Sequence, residues 1–119
     1  MAAPNIVNVS DIKGKTAVGS LTTTLSSYLD NASASNQVYK INSIIVANID
    51  GTNAADVNVS VFRSSTHYYL AKTISVPADS TLVVLSKDMG IYLEEGDSIY
   101  ASAGATSDLQ ILVSYEIIE

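Results

Sequence analysis

The chain has 119 residues, of which 47% are hydrophobic and only 15% charged, with a formal net charge of −6; this length suits one domain, and 1–119 reads as a single one. With no cysteine and one histidine, His67, disulfides, thiolate metal sites and multi-histidine centres are excluded within one copy. Five lysines and one arginine without a basic cluster argue against nucleic-acid binding, which needs a positive face.

In chain order, Met1-Ala2-Ala3-Pro4-Asn5 lacks the positive segment and apolar core of a secretory signal. No run approaches the roughly 18 apolar residues of a membrane span, so no membrane partner is expected. Residues 1–13 place Ile6, Val7, Val9 and Ile12 in a polar setting, as an arm or an edge strand would. From Thr16 to Leu29 the apolar residues Val18, Leu21, Leu25 and Leu29 mimic helical spacing, but Gly19 and the β-branched Thr22-Thr23-Thr24 favour a strand to about Ser26. Asp30 to Gln37 is a loop by composition.

Val38 to Ile49 is the organising strand. Alternation puts Tyr39, Ile41, Ile45, Ala47 and Ile49 on one face and Lys40, Asn42, Ile44, Val46 and Asn48 on the other. After the turn Asp50 to Asp56, Val57, Val59 and Val61 alternate with polar neighbours, the cleanest half-buried strand pattern in the chain. Arg63-Ser64-Ser65-Thr66 turns the chain into a strand ending at Pro77, which cannot donate to a ladder. Thr81 to Ser86 is a further strand, apolar on both faces. Leu93-Glu94-Glu95-Gly96-Asp97-Ser98-Ile99 sets an acidic turn between two apolar anchors, with Gly96 free to take a left-handed conformation and Asp97 placed to accept hydrogen bonds from nearby backbone N–H groups. Leu109, Ile111, Val113, Tyr115 and Ile117 share a face of the last strand. About seven or eight strands with regular turn signals read as all-β, an antiparallel β-sandwich of immunoglobulin-like or jelly-roll topology.

No constellation carries catalysis. Glu94, Glu95 and Asp97 sit where strand alternation spreads them over both faces, and Asp50, Asn53 and Asp56 lack the every-second-residue spacing of a calcium loop. His67 has many serines nearby but no evident third group to orient it. The chain therefore reads as no enzyme, with no cofactor and no metal. Seven tyrosines offer apolar area with a polar tip, which suits packing and sugar stacking alike.

The run Tyr39-Lys40-Ile41-Asn42-Ser43-Ile44-Ile45-Val46-Ala47-Asn48 with Asp50-Gly51 after it resembles small virion structural proteins of tailed bacteriophages, notably cyanophages. Val76-Pro77-Ala78, Tyr92 to Ile99 and the ending Ser114-Tyr115-Glu116 share the likeness, which covers about residues 15–119. The resemblance implies a capsid decoration or cement subunit acting by protein–protein contacts, made in the host cytoplasm and located in the virion. A neck or tail accessory protein is the alternative within that family, and a host-glycan-binding module the alternative outside it. The partners expected are further copies of the chain and the major capsid or other virion proteins. The low fraction of charge, well under the roughly 25% usual for soluble domains, suits a subunit that buries surface in an assembly. Both Ile44 to Ala47 and Thr81 to Ser86 are apolar on two faces, so the faces bearing Ile44, Val46, Val83 and Leu85 are expected at a subunit interface.

Overall fold

The computed structural model describes residues 10–119. Among the described residues nine strands form two antiparallel sheets: β1 (Ile12–Ser20), β2 (Ser26–Asp30), β3 (Val38–Asn48), β4 (Ala55–Arg63), β5 (Thr66–Val76), β6 (Thr81–Leu85), β7 (Ile91–Leu93), β8 (Ser98–Ala103) and β9 (Leu109–Ile118). One sheet runs β1-β9-β3-β6, with β7 also pairing β3, and the other runs β2-β8-β4-β5. Strand β4 pairs β5, β3 pairs β6, β2 pairs β8 and β1 pairs β9. This is one long ribbon of nested hairpins, wrapped so that alternate rungs fall in opposite sheets. Such wrapping is the jelly-roll arrangement of two Greek keys, which decides between the two topologies open from sequence. The stretch expected as a strand from Thr16 to about Ser26 is two strands in different sheets, because the chain crosses between them at Leu21 to Leu25, where Leu21 is fully buried. Residues 1–9 of the expected arm or edge strand lie outside the described residues, and β1 from Ile12 does form a sheet edge.

The core lies between the sheets. From the first sheet it takes Ile41, Ile44, Val46, Leu85, Ile111 and Val113; from the second, Val57, Val59, Ile99 and Ala101. Leu109, Ile111, Val113, Tyr115 and Ile117 all point inward, as their alternation requires. Strand β3 departs from simple alternation. Its pairing with β9 steps from Ile41↔Tyr115 to Ser43↔Ser114, so Asn42 is an extra residue in a bulge. A bulge reverses the parity of every later residue in its strand. Ile41 therefore shares the inner face with Ile44 and Val46, not with Ile45 and Ala47. A second shift, from Ile44↔Leu85 to Ile45↔Val83, leaves Val84 extra in β6 and turns Leu82 and Leu85 inward with Val83 outward.

Two buried asparagines fasten the loops to the core. Asn31 donates through Nδ2 to the carbonyls of Gln37 and Leu93 and accepts from Ser35 Oγ. Asn48 donates to the carbonyls of Asn53 and Val76 and accepts from the Asp50 N–H. Tyr39 stacks on Tyr115 with ring centroids 5.4 Å apart, and burial pushes its phenol above the usual tyrosine range, helped by nearby Tyr115 and the carboxylates of Asp30 and Glu119. Gly19 lets the sheets close at β1, since a side chain there would meet the Tyr28 ring at 2.7 Å.

Candidate interface on the outer face of the first sheet

The two bulges create an exposed feature. The register pairs Val18 with Leu112, Leu112 with Ile45 and Ile45 with Val83. These four side chains form one row across β1, β9, β3 and β6, on the face away from the core. At about 4.8 Å between strands, the row is about 14 Å long. Its ends are open, with Val18 71% and Val83 57% exposed, while Ile45 and Leu112 in the middle are half-buried by their neighbours. The flanking rows are Thr16, Ser114 and Ser43 on one side and Ser20, Gln110, Ala47 and Thr81 on the other. None of these residues is charged, in a chain of net charge −6. This uncharged patch of three rows, bounded by the next row with Glu116 and Lys40, has an apolar centre and small polar borders, the composition of a protein contact surface.

Of the residues expected at a subunit contact, Val83 is on this face. Ile44, Val46 and Leu85 are corrected: they are at most 2% exposed inside the sandwich and have no surface left for a partner. The cause is the pair of bulges, which exchange the inner and outer faces relative to plain alternation. Plain alternation also misses Val18, Ile45 and Leu112. The signal for the first bulge is in the sequence, however: Ile41 and Ile44 are three apart around the polar pair Asn42-Ser43, a spacing a regular strand cannot place on one face.

The sheet edges are protected against pairing with other chains. Edge strand β1 carries exposed Lys13 and Lys15, β6 is short and bulged, and β2 has five residues with a register shift. On β5, Lys72 precedes Thr73, which takes a left-handed φ of 53° and kinks the edge. The kink is held by Asn58 Oδ1, which accepts the Thr73 N–H at 2.8 Å.

The acidic turn folds as its composition demands. Gly96 has φ 89°, and Asp97 Oδ2 accepts the Glu94 N–H at 2.8 Å. Nothing local in the sequence points to the third member, Arg63, at the end of β4. It donates Nε and Nη2 to the two oxygens of the buried Asp97 carboxylate and pairs with Glu94 at 2.9 Å. These carboxylates, Asp97 foremost, raise the guanidinium above its already high range. Asp50 caps a solvated turn by accepting the Thr52 N–H, which holds its carboxyl below the usual range. Among the described residues no cluster of three or more metal-ligating side chains occurs. His67 Nδ1 lies 2.9 Å from Ser60 Oγ. Ser60 is fully buried and the ring packs on Phe62 and Tyr100, an arrangement of packing that leaves the hydroxyl no approach to a substrate.

The sequence matches no protein-family model and no curated protein sequence. In three dimensions the chain is similar to a subunit of Bacillus endospore appendages, described as a family of disulfide-linked pili, at 15% identity and a TM-score of 0.53 over 91% of this chain and 86% of that one. It also matches, more loosely, a pentameric capsid protein isolated from metagenomic phage sequences, at 16% identity and a TM-score of 0.42 over 87% of this chain. This chain spans about 62% of that protein's length. The present sequence has no cysteine, so the disulfide linkage of the spore appendages has no counterpart in it. What the chain shares with the spore-appendage subunit is the β-sandwich fold.

Proposed function

We propose that this protein is a structural subunit of a bacteriophage particle, a capsid decoration or cement protein that binds through the outer face of β1-β9-β3-β6. Its partner there is a second copy of the chain, and the assembled subunits sit on the major capsid protein. The row Val18, Leu112, Ile45 and Val83 carries the reading. Because the edges are guarded, association by adding strand to strand is disfavoured, and the uncharged face is the surface on which a partner gains most. A jelly roll hosts many functions, so the role is argued from this face and from the resemblance to virion structural proteins. Mass spectrometry of purified virions tests the location: the protein is expected in intact particles at many copies, and its absence from them refutes the proposal. Crosslinking in those particles tests the face, with Val18→Cys and Val83→Cys expected to join neighbouring copies.

A further inference from the structure

A cleft of about 600 Å³ opens between the free edge of β5 and β7, at the opposite flank of the first sheet from β1. Its apolar lining includes Leu70 and Ile91, both half-buried against the core. Tyr68 and Tyr92 stand in its wall, 59% and 45% exposed, and Arg63 and Glu94 form its polar side. From this geometry we propose that the cleft is a binding site for a short, uncharged oligosaccharide.

Three observations carry the assignment. First, the lining is amphipathic in the way a sugar is: tyrosine rings give a flat apolar surface with a hydroxyl at its end, and the cleft volume lies in the range of small-ligand sites. Second, the hydrogen-bonding side is built in advance. The Arg63 guanidinium is fixed through Nε and Nη2 by the buried Asp97 and by Glu94. Its Nη1 amino group has no acceptor among the described residues, so it offers two N–H donors at a set position without loss of side-chain freedom on binding. Third, the charge selects a neutral ligand. Arg63 is accompanied by two carboxylates, Glu94 at the cleft and the buried Asp97, and Lys72 Nζ lies 4.6 Å over the ring of the lining Tyr69, so positive and negative groups balance around the cleft. An anionic sugar or phosphate gains no net attraction there and would face Glu94, whereas neutral hydroxyl groups donate to Glu94 and accept from Arg63. The site is separate from the apolar row and does not depend on the assembly role.

The test is NMR titration of the isotope-labelled protein with maltotriose, cellotriose, mannotriose, triacetylchitotriose and the anionic sialyllactose, each to about 10 mM, high enough to see a Kd of about 1 mM. At least one neutral trisaccharide is expected to move the resonances of Arg63, Tyr68 and Tyr92 saturably, and to do so more strongly than sialyllactose. Tyr68→Ala and Tyr92→Ala are each expected to weaken binding at least about tenfold with an unchanged melting temperature, since both rings are already half in solvent. The proposal is overturned if no neutral sugar moves these resonances, if the shifts map elsewhere, if sialyllactose binds tighter, or if both variants bind as the parent does. Shifts of the same residues with protein concentration alone, and none with sugar, would make the cleft a contact between copies and equally overturn it.

Discussion

Val83→Lys and Ile44→Lys are a matched pair, in neighbouring strands of one sheet but on opposite faces. Burying a valine side chain completely is worth about 1.5–3 kcal/mol. With 57% of Val83 still in solvent, roughly half of that, about 1–1.5 kcal/mol, is available to a partner. Where two copies meet through the same face the residue counts twice, so Val83→Lys is expected to weaken association by about 2–3 kcal/mol, roughly 30- to 150-fold in Kd. The fold should not notice, because the lysine stem can lie along the sheet with its ammonium in water. Ile44, between β9 and β6, is 0% exposed and faces the core. A lysine there must bury its amine or open the sandwich, at a cost of several kcal/mol against a total stability of about 5–15 kcal/mol. Static light scattering over a concentration series and thermal melting separate the two effects. Val83→Lys is expected to lower the mean mass and keep its melting temperature, with Val18→Lys at the far end of the row behaving alike. Ile44→Lys is expected to melt far lower or fail to fold. If Val83→Lys and Val18→Lys leave the mass unchanged, or if Ile44→Lys melts with the parent, the division into inner and outer faces is wrong.

Replacing Arg63 with glutamine leaves Asp97, whose side chain is 3% exposed, without its cation. Half-exposure of the arginine tempers the cost to about 2–3 kcal/mol, a fall of about 10 °C in melting temperature; a loss under about 1 °C would show that the pair contributes little. Ser64 and Ser65 both take positive φ, 52° and 62°, between the paired residues Arg63 and Thr66, which is the geometry of a two-residue turn that favours Asn-Gly. The double change Ser64→Asn, Ser65→Gly is expected to raise stability by about 1 kcal/mol in denaturant melts, and a decrease would contradict the turn assignment. Asp50 has a folded pKa below its ordinary 3.8, so its contribution is present above that pH and lost as pH falls through the lower folded value. Accordingly Asp50→Asn should melt below the parent at neutral pH and converge with it under acid conditions; a constant gap across the acid range would refute the linkage.

The strands are legible because most of them are half-buried, so the period of two is written into residues such as Val57, Val59 and Val61 or Leu109 to Tyr115. Faces are legible only where that period is unbroken. One extra residue, Asn42 in β3 or Val84 in β6, moves every later side chain to the other face; the first leaves a trace in the spacing of Ile41 and Ile44, while the second falls in Leu82 to Leu85, a run apolar on both sides, where composition does not reveal which face wins. That is why plain alternation sets the buried Ile44, Val46 and Leu85 beside the exposed Val83. The acidic turn is readable because its bonds are local, from Asp97 to the Glu94 N–H. Its partner Arg63 is not, since only the wrapping of the two sheets brings β4's end to that turn. The choice of jelly roll over an immunoglobulin-like order rests on which distant strands pair, and alternation within a strand carries no such information.

The nested pairing has a kinetic meaning. The ribbon β4·β5 needs only the two-residue turn at Ser64 and Ser65, and hairpins of that kind close in about 1–10 μs. Once it exists, β3·β6 has a shorter effective loop to close, then β2·β8, and β1·β9 comes last, so the entropy of each long closure is met in small steps. The row that spans β1, β9, β3 and β6 draws on the outermost ribbon and on an inner one. A chain stalled before its last closure would hold Ile45 and Val83 but not Val18 and Leu112 in line, and so would lack the complete surface for docking. Folding would then act as a licence for assembly. Pulse-labelling hydrogen exchange bears on this directly: amides of β4 and β5 should gain protection before those of β1 and β9, and the reverse order would end the idea.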